Sequence, residues 1–341
     1  MTKEVYIRAA CQISTQHPLG EVWMDSPVHY NEPYARAIDP DYKQFLEPNV
    51  ARRLGKILKR ALLTSRQVRE ESGIACPDAI ITGTGLGCIE NTGIFLEALT
   101  REGEAFLKPT YFMQSTHNTI SSLVAIDARC HGYNATYAHK GVSFECALLD
   151  AFLQVKKGEA NTVLVGAHDE MTPDYFLLLK RAGYLGHAPG GFSGETAMSM
   201  MLNNREEDAA CRLDGVEIAY RPGREELQDL LARLCPLDEI DAVMIGTNGN
   251  PANDKLYAEV CPELFPGKQL LRYKHLFGES YTAPGLGAYA ASILLRQQRV
   301  PAHLFANTRE KEVTRALKRV LLYNHFEGKN HSLILLSACG K

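Results

Sequence analysis

Asp78-Ala79-Ile80-Ile81-Thr82-Gly83-Thr84 recurs as Asp241-Ala242-Val243-Met244-Ile245-Gly246-Thr247, beginning 163 residues later in a chain of 341. Each copy is a short apolar, strand-like run that ends in a Gly-Thr turn, and each follows a segment of helical periodicity. A repeat near half the chain length, with the same context in both copies, is the mark of a duplicated unit. The polar run Asn204-Arg205-Glu206-Glu207-Asp208 reads as the junction, dividing the chain into halves 1–205 and 206–341.

Outward from the first copy, Arg52–Val68 carries helix-spaced Leu54, Ile57, Leu58, Leu62 and Leu63, and Gly83-Thr84-Gly85-Leu86-Gly87 forms a glycine-rich turn before a helix at Asn91–Thr100. A strand at Asn134–Ala138, a helix at Val142–Val155 and a strand at Thr162–Val165 then make a βαβ unit, whose crossover is right-handed. The second half repeats the plan with strand Val216–Tyr220, helix Glu225–Leu234, strand Asp241–Ile245, helix Asp254–Val260, strand Gln269–Tyr273 and helix Gly287–Gln298. Ala316–Tyr323 and Ser332–Ser337 read as antiparallel strands around a loop, Asn324–His331. The alternation of strands and helices is that of an α/β fold with a largely parallel sheet.

The composition, 45% hydrophobic and 23% charged with a formal net charge of −3, excludes the basic excess that nucleic acid demands. Lys3 and Arg8 interrupt the first ten residues, and no apolar run approaches the roughly 20 residues that span a bilayer. The expectation is therefore a cytoplasmic protein with neither nucleic acid nor membrane as partner. Nine scattered cysteines offer no CxxC pair and no Cys/His ligand spacing, so neither a metal nor another cofactor is expected and the thiols read as small core residues.

Several segments, in order, resemble the β-ketoacyl synthases, condensing enzymes of thiolase fold. Asp78–Gly87 is similar to the family's early strand and glycine turn, Lys108–Asn118 to the segment leading to the nucleophile, and Gly132–Thr136 to the strand before it. Ala160–Glu170 is similar to the strand after the nucleophile helix, and Gly194-Glu195-Thr196-Ala197 to a Gly-acid-Gly-Ala turn. Gly246-Thr247 with Pro251–Asp254 resembles the first histidine loop, and Lys274 with Gly278 the lysine and second histidine loop. The resemblance implies a duplicated, layered αβαβα fold, a dimer formed around a central strand at Asn134–Ala138, and an acyl carrier protein as partner. Against that family the chain is trimmed in Tyr175–Gly194 and before Asp241.

A condensing enzyme needs a thiolate at a helix N-terminus, where backbone N–H groups lower the thiol pKa and hold the oxyanion. The family's cysteine position falls on Gly141, which has nothing to acylate. Cys146 lies more than a turn beyond it, Ser143 reads as a first-turn capping residue or part of the substrate channel, and His139 as a turn histidine or a surviving base. The two histidine positions fall on Ile245, which donates nothing, and on Glu279 (Gly278 in a register shifted by one), where a carboxylate would repel an enolate. Lys274 matches the family's lysine and alternatively reads as a strand-end lysine in solvent, with His275 on the opposite face of the same strand. Phe326, in a shortened C-terminal loop, matches the phenylalanine that gates the acyl channel.

With nucleophile and both donors absent, the resemblance implies a chain-length-factor-type protein of fatty acid or polyketide (polyene) biosynthesis, a catalytically degenerate relative paired with an intact ketosynthase. The alternative is an active 3-oxoacyl-carrier-protein synthase or acyltransferase rebuilt around His139, Cys146, Glu279 or Lys274. A third reading is a homodimer that binds acyl groups in the vestigial pocket. A thiolase fits less well, because it needs a second cysteine near the C-terminus and Cys339 lies in a terminal strand and not in a glycine loop.

Overall fold

The computed structural model describes residues 2–104, 107–183, 191–307 and 316–340. Ten strands form one sheet: β1 Tyr6–Ile13, β2 Ala79–Gly83, β3 Tyr133–Tyr137, β4 Thr162–Asp169, β5 Thr196–Asn203, β6 Cys211–Tyr220, β7 Ala242–Ile245, β8 Gln269–Arg272, β9 Arg319–Phe326 and β10 Asn330–Ser337. Eleven helices are described: α1 Pro48–Ala51, α2 Lys56–Ser72, α3 Ile89–Glu102, α4 Pro109–Met113, α5 Thr119–Ala128, α6 Ser143–Lys157, α7 Pro173–Arg181, α8 Arg224–Leu234, α9 Pro251–Leu264, α10 Lys274–Phe277 and α11 Ala283–Gln297. The segment Tyr175–Gly194, read above as trimmed, lies partly outside the described residues, at 184–190.

The strand order is β3-β2-β4-β5-β1 followed by β6-β10-β9-β7-β8. From the opposite edge the second series runs β8-β7-β9-β10-β6, which is the order of the first with each strand advanced by five. The pairing senses match too: β2 is parallel to β3 and β4, as β7 is to β8 and β9, while β4–β5 and β9–β10 are antiparallel. The repeated heptapeptide is thus β2 and β7 with their turns. The two series join through only two residue pairs between β1 and β6, Tyr6 with Arg212 and Ile7 with Cys211.

Strand alternation builds the layers. Ala79, Ile81, Val163, Val165, Met198, Met200, Met244, Leu322 and Ile334 share one core with α6 and α11, so these two helices form the middle layer between both halves of the sheet. The opposite faces pack on α2 and α5 in the first half and on α8 and α9 in the second. This is the thiolase-like αβαβα arrangement. Strand β5 escaped the sequence reading because it is buried along its whole length and carries methionines and alanine in place of the β-branched alternation that marks a strand.

Three expectations change. The sheet read as largely parallel is mixed, five of its nine described strand pairings being antiparallel, because β1, β5, β6 and β10 run opposite to their neighbours. The strand read as Asn134–Ala138 is β3, Tyr133–Tyr137, and it lies at the edge of the sheet rather than at its centre, because its ladder runs to β2 alone. The expected loop Asn324–His331 collapses to a three-residue turn between paired Phe326 and Asn330, with Glu327 and Gly328 at φ +53° and +63°. The backbone twist of such a turn suits a right-twisted hairpin, so Asn324 to Phe326 and Asn330 to His331 extend the strands.

Candidate functional site

The first half's glycine turn is held by the end of β4. Asp169 accepts from the backbone N–H of Gly85 (2.8 Å) and Leu86 (2.9 Å), from Thr84 (3.2 Å), and, across the two halves, from Thr282 (2.8 Å). Next to it Glu170 accepts from the N–H of Ile57 and of Glu90, in the first turns of α2 and α3. Helix N-termini favour such a carboxylate, yet burial outweighs them and pushes the Glu170 carboxyl up to about 7. Glu195 accepts from Met171 N–H and from the buried Arg60 guanidinium at 3.0 Å. These acids brace the scaffold.

Beyond β3 a short 3-10 turn, Lys140–Val142, leads into α6 and carries Gly141. Here the position that the resemblance assigns to a nucleophile is filled from the other half. A Cβ placed on Gly141 would lie 2.2 Å from Cδ2 and 2.4 Å from Cγ of Phe326, the last residue of β9. The Phe326 ring meets Tyr281 edge-on at 5.6 Å, and Tyr281 is itself set against Gly85, where a Cβ would lie 2.4 Å from its own Cβ. Two aromatic side chains of the second half thus sit in two glycine seats of the first, and only glycine leaves room for them.

The described residues around Gly141 present no thiol to the cavity. Ser143 accepts from His139 N–H (2.8 Å) and donates to Lys140 C=O (2.7 Å), so its hydroxyl closes the turn. It is fully buried and does not line the cavity, which corrects its assignment to the channel. The His139 ring faces Cys146 through Nδ1 and Sγ at 3.5 Å, in place of the backbone carbonyl expected of a turn histidine. Burial, reinforced by the charge of Glu145, pushes the Cys146 thiol up to about 11, the reverse of what a nucleophile needs. Neither His139 nor Cys146 lines the cavity.

On the second half, Ile245 ends β7 and is packed in the outer core with Val243, Leu321 and Tyr257, as an aliphatic strand residue should be. Lys274 is not in solvent: it is buried at the start of α10, and its Nζ reaches both Glu279 oxygens at 3.0 and 2.8 Å. Asn248 donates to the same carboxylate at 2.6 Å. The Glu279 charge is therefore balanced, where the sequence reading left it free to repel an enolate. Because α10 replaces the expected strand end, His275 does not alternate with Lys274; its Nε2 faces His303 C=O at 2.9 Å. Burial drives it down to about 3.

Site residues were missed: Tyr281 and Asn248, which no motif marked, and His325. His325, inside the supposed loop, lines the cavity. Gly328 N–H donates to its Nδ1 (3.2 Å), so Nε2 carries the proton and donates to Asn253 C=O (3.1 Å). Burial drives its pKa down to about 3, leaving a neutral ring with both nitrogens engaged.

Gly141, Phe326, Tyr281, Lys274, Glu279 and His325 converge on a cavity of about 640 Å³ that also reaches Leu86, Met171 and Leu179. No thiol lines it among the described residues, and its hydroxyls are those of Ser280, bonded to Thr196 at 2.7 Å, and of Tyr281. No group of three or more His, Cys, Asp or Glu among the described residues is placed to hold a metal ion. No helix among them is long and apolar enough to cross a membrane. The arrangement offers a half-open, partly apolar space with a neutralised ion pair, able to hold a ligand and, among the described residues, without a thiol to acylate.

Among solved structures, the ishigamide ketosynthase/chain length factor aligns at TM-score 0.82 and 18% identity over 100% of both chains. A β-ketoacyl synthase from Burkholderia phymatum STM815 aligns at TM-score 0.81 and 13% identity over 98% of this chain and 100% of that one. The ketosynthase ApeO in complex with its chain length factor ApeC, from Xenorhabdus doucetiae, aligns at TM-score 0.79 and 14% identity over 98% of each. By sequence, none of the curated proteins matches. The family profile described as "Beta-ketoacyl synthase, N-terminal domain" matches residues 23–225, more than half of the chain and all of the region that holds the glycine turn, β3 and the Gly141 slot. On that match, and on a fold that repeats the layered architecture strand for strand, the chain belongs to the β-ketoacyl synthase family.

Proposed function

We propose that the chain is a catalytically degenerate, chain-length-factor-type member of that family, which pairs with an intact ketosynthase and an acyl carrier protein in cytoplasmic fatty acid or polyketide synthesis. The observation that carries this reading is the Phe326 ring seated on Gly141, which fills the place of the nucleophile. Ile245 and the Lys274-bound Glu279, standing where two hydrogen-bond donors belong, support it. The boundary between residues 205 and 206, in the turn between β5 and β6, divides the two halves of this reading.

The partner face is β3. Its ladder ends the sheet, and Tyr133 on the strand together with Phe112, Met113 and Ile126 on the preceding α4 and α5 are exposed at 46%, 58%, 70% and 75%. An unpaired edge next to large exposed apolar side chains is a surface for another chain. The neighbour titled as a ketosynthase in complex with its chain length factor, and another titled as an acyl-carrier protein in complex with its ketosynthase, are assemblies of the proposed kind.

The test is mass spectrometry of the full chain after incubation with an acyl-loaded carrier protein, alone and with a neighbouring intact synthase. The expected result is no adduct on this chain, a stable complex with the synthase, and altered product length when both are present. The second reading, a rebuilt active synthase, draws on the Cys146–His139 contact at 3.5 Å. An acyl adduct mapped to Cys146 would establish it and overturn the first.

A further inference from the structure

In the middle layer a group of polar side chains interrupts the apolar packing. Glu145 on α6 is fully buried and accepts from Ser332 through Oε1 at 3.0 Å. Ser332 faces Asn324 across the β9–β10 ladder. Both point to the α6 and α11 side, since Leu322 and Ile334, their same-face neighbours, belong to that core. The Tyr273 hydroxyl, also in the middle layer, donates to Asn324 Oδ1 at 3.0 Å.

Two atoms of this group are left over. Glu145 Oε2 and Asn324 Nδ2 are buried and have no hydrogen-bond partner among the described residues. One accepts and the other donates, and they flank the same Ser332. In the orientation the structure gives, Oδ1 takes the tyrosine proton and lies against Gly246, where a Cβ would come within 2.0 Å of it. The NH2 group is therefore turned away from Tyr273 and Gly246. A buried donor and a buried acceptor, both beside Ser332, each call for a partner.

We propose that Glu145 and Asn324 form a binding site for one small neutral hydroxylic ligand, with water as its ordinary occupant, which accepts from Asn324 Nδ2 and donates to Glu145 Oε2. A polar site with two to four protein partners is what holds a buried water in place. The oxygen works with either form of the carboxyl, donating to the carboxylate or accepting from the acid. That flexibility matters because burial pushes Glu145 up to about 7, with Lys274 and Glu279 as its charged neighbours.

The site is distinct from the large cavity, which is lined by Gly141 and Phe326 but by neither Glu145 nor Asn324. Phe326 is the next same-face residue on β9, about 7 Å further along the strand.

A crystal structure of the full chain, at a resolution that shows other interior waters, tests this directly. The expected result is one density peak within about 2.6–3.2 Å of both atoms, absent in Asn324→Leu and unchanged in the exposed-site control Glu226→Gln. Direct contact between Glu145 and Asn324, or an empty space between them, overturns it, and that result stands on the wild-type protein even if Asn324→Leu fails to fold.

Discussion

Gly141 and Phe326 occupy the same space by halves: the ring of one lies where the side chain of any other residue at 141 would begin, 2.2 Å from the nearest ring carbon. A cysteine introduced at 141 must displace the ring. Gly141→Cys is expected to lose about 1–3 kcal/mol by overpacking, and Phe326→Ala in the same chain should recover much of it. Urea unfolding of the two single variants and the double variant measures the coupling. Strictly additive losses would mean that the contact carries no strain.

Removing Lys274 leaves the Glu279 carboxylate without its counter-charge in a largely enclosed site. Lys274→Met is expected to destabilise by about 3 kcal/mol, as for other broken buried pairs, whereas the double variant with Glu279→Gln should lose less. Chemical denaturation decides between them, and equal losses would show that the pair matters only as packing.

The pH dependence follows from carboxyls and histidines shifted in opposite directions. Glu145 and Glu170 stand at about 7 in the fold against an ordinary 4.5, so the native chain holds more protons than the unfolded one between these values. Their contribution is fully present below about 4.5 and is lost as the pH rises to 7. His168, His275 and His325 stand at about 3 against 6.5, so theirs is lost as the pH falls below 6.5. Glu145→Gln is expected to flatten the decline in stability between pH 6.5 and 7.5, read from urea midpoints; an unchanged slope would remove Glu145 from the account.

Thiol labelling separates Cys146 from a reactive nucleophile. With its thiol pushed up to about 11 and half-buried, Cys146 is expected to react with iodoacetamide at pH 7.5 more slowly than the exposed Cys76. Peptide mapping over time reads the order, and first labelling at Cys146 would favour the rebuilt-site reading.

Ile126→Glu on α5 places a charge on the proposed partner face at a position 75% exposed. Stability of the isolated chain should change by less than about 0.5 kcal/mol, while association with an intact synthase, followed by sedimentation, should weaken at least tenfold. Unchanged association would move the interface elsewhere.

The duplication was legible in the sequence because β2 and β7 are short, buried strands whose apolar runs and Gly-Thr turns survive in both copies. That Gly141 and Ile245 bring no thiol or imidazole of their own was legible because a residue's chemical groups do not depend on coordinates; that these are the family's catalytic positions belongs to the proposed function. The pairing of Glu279 with Lys274 was not, since it depends on a one-turn helix that interrupts what periodicity reads as a strand. Nor was His325, whose segment resembles a loop until the Glu327-Gly328 turn extends β9 through it. The seat of Phe326 on Gly141 joins residues 185 positions apart and leaves no local trace.

The two ends of the sheet are unequal. At β3 the ladder stops with its outer side open, while at β8 the backbone of Leu271 is bridged by Phe305. Two copies or relatives that meet through β3 each use up their open margin in doing so, and the margin left over is the bridged one. Under the proposed pairing, growth by strand addition would halt at a closed pair, and the exposed apolar margin would not seed open-ended fibres.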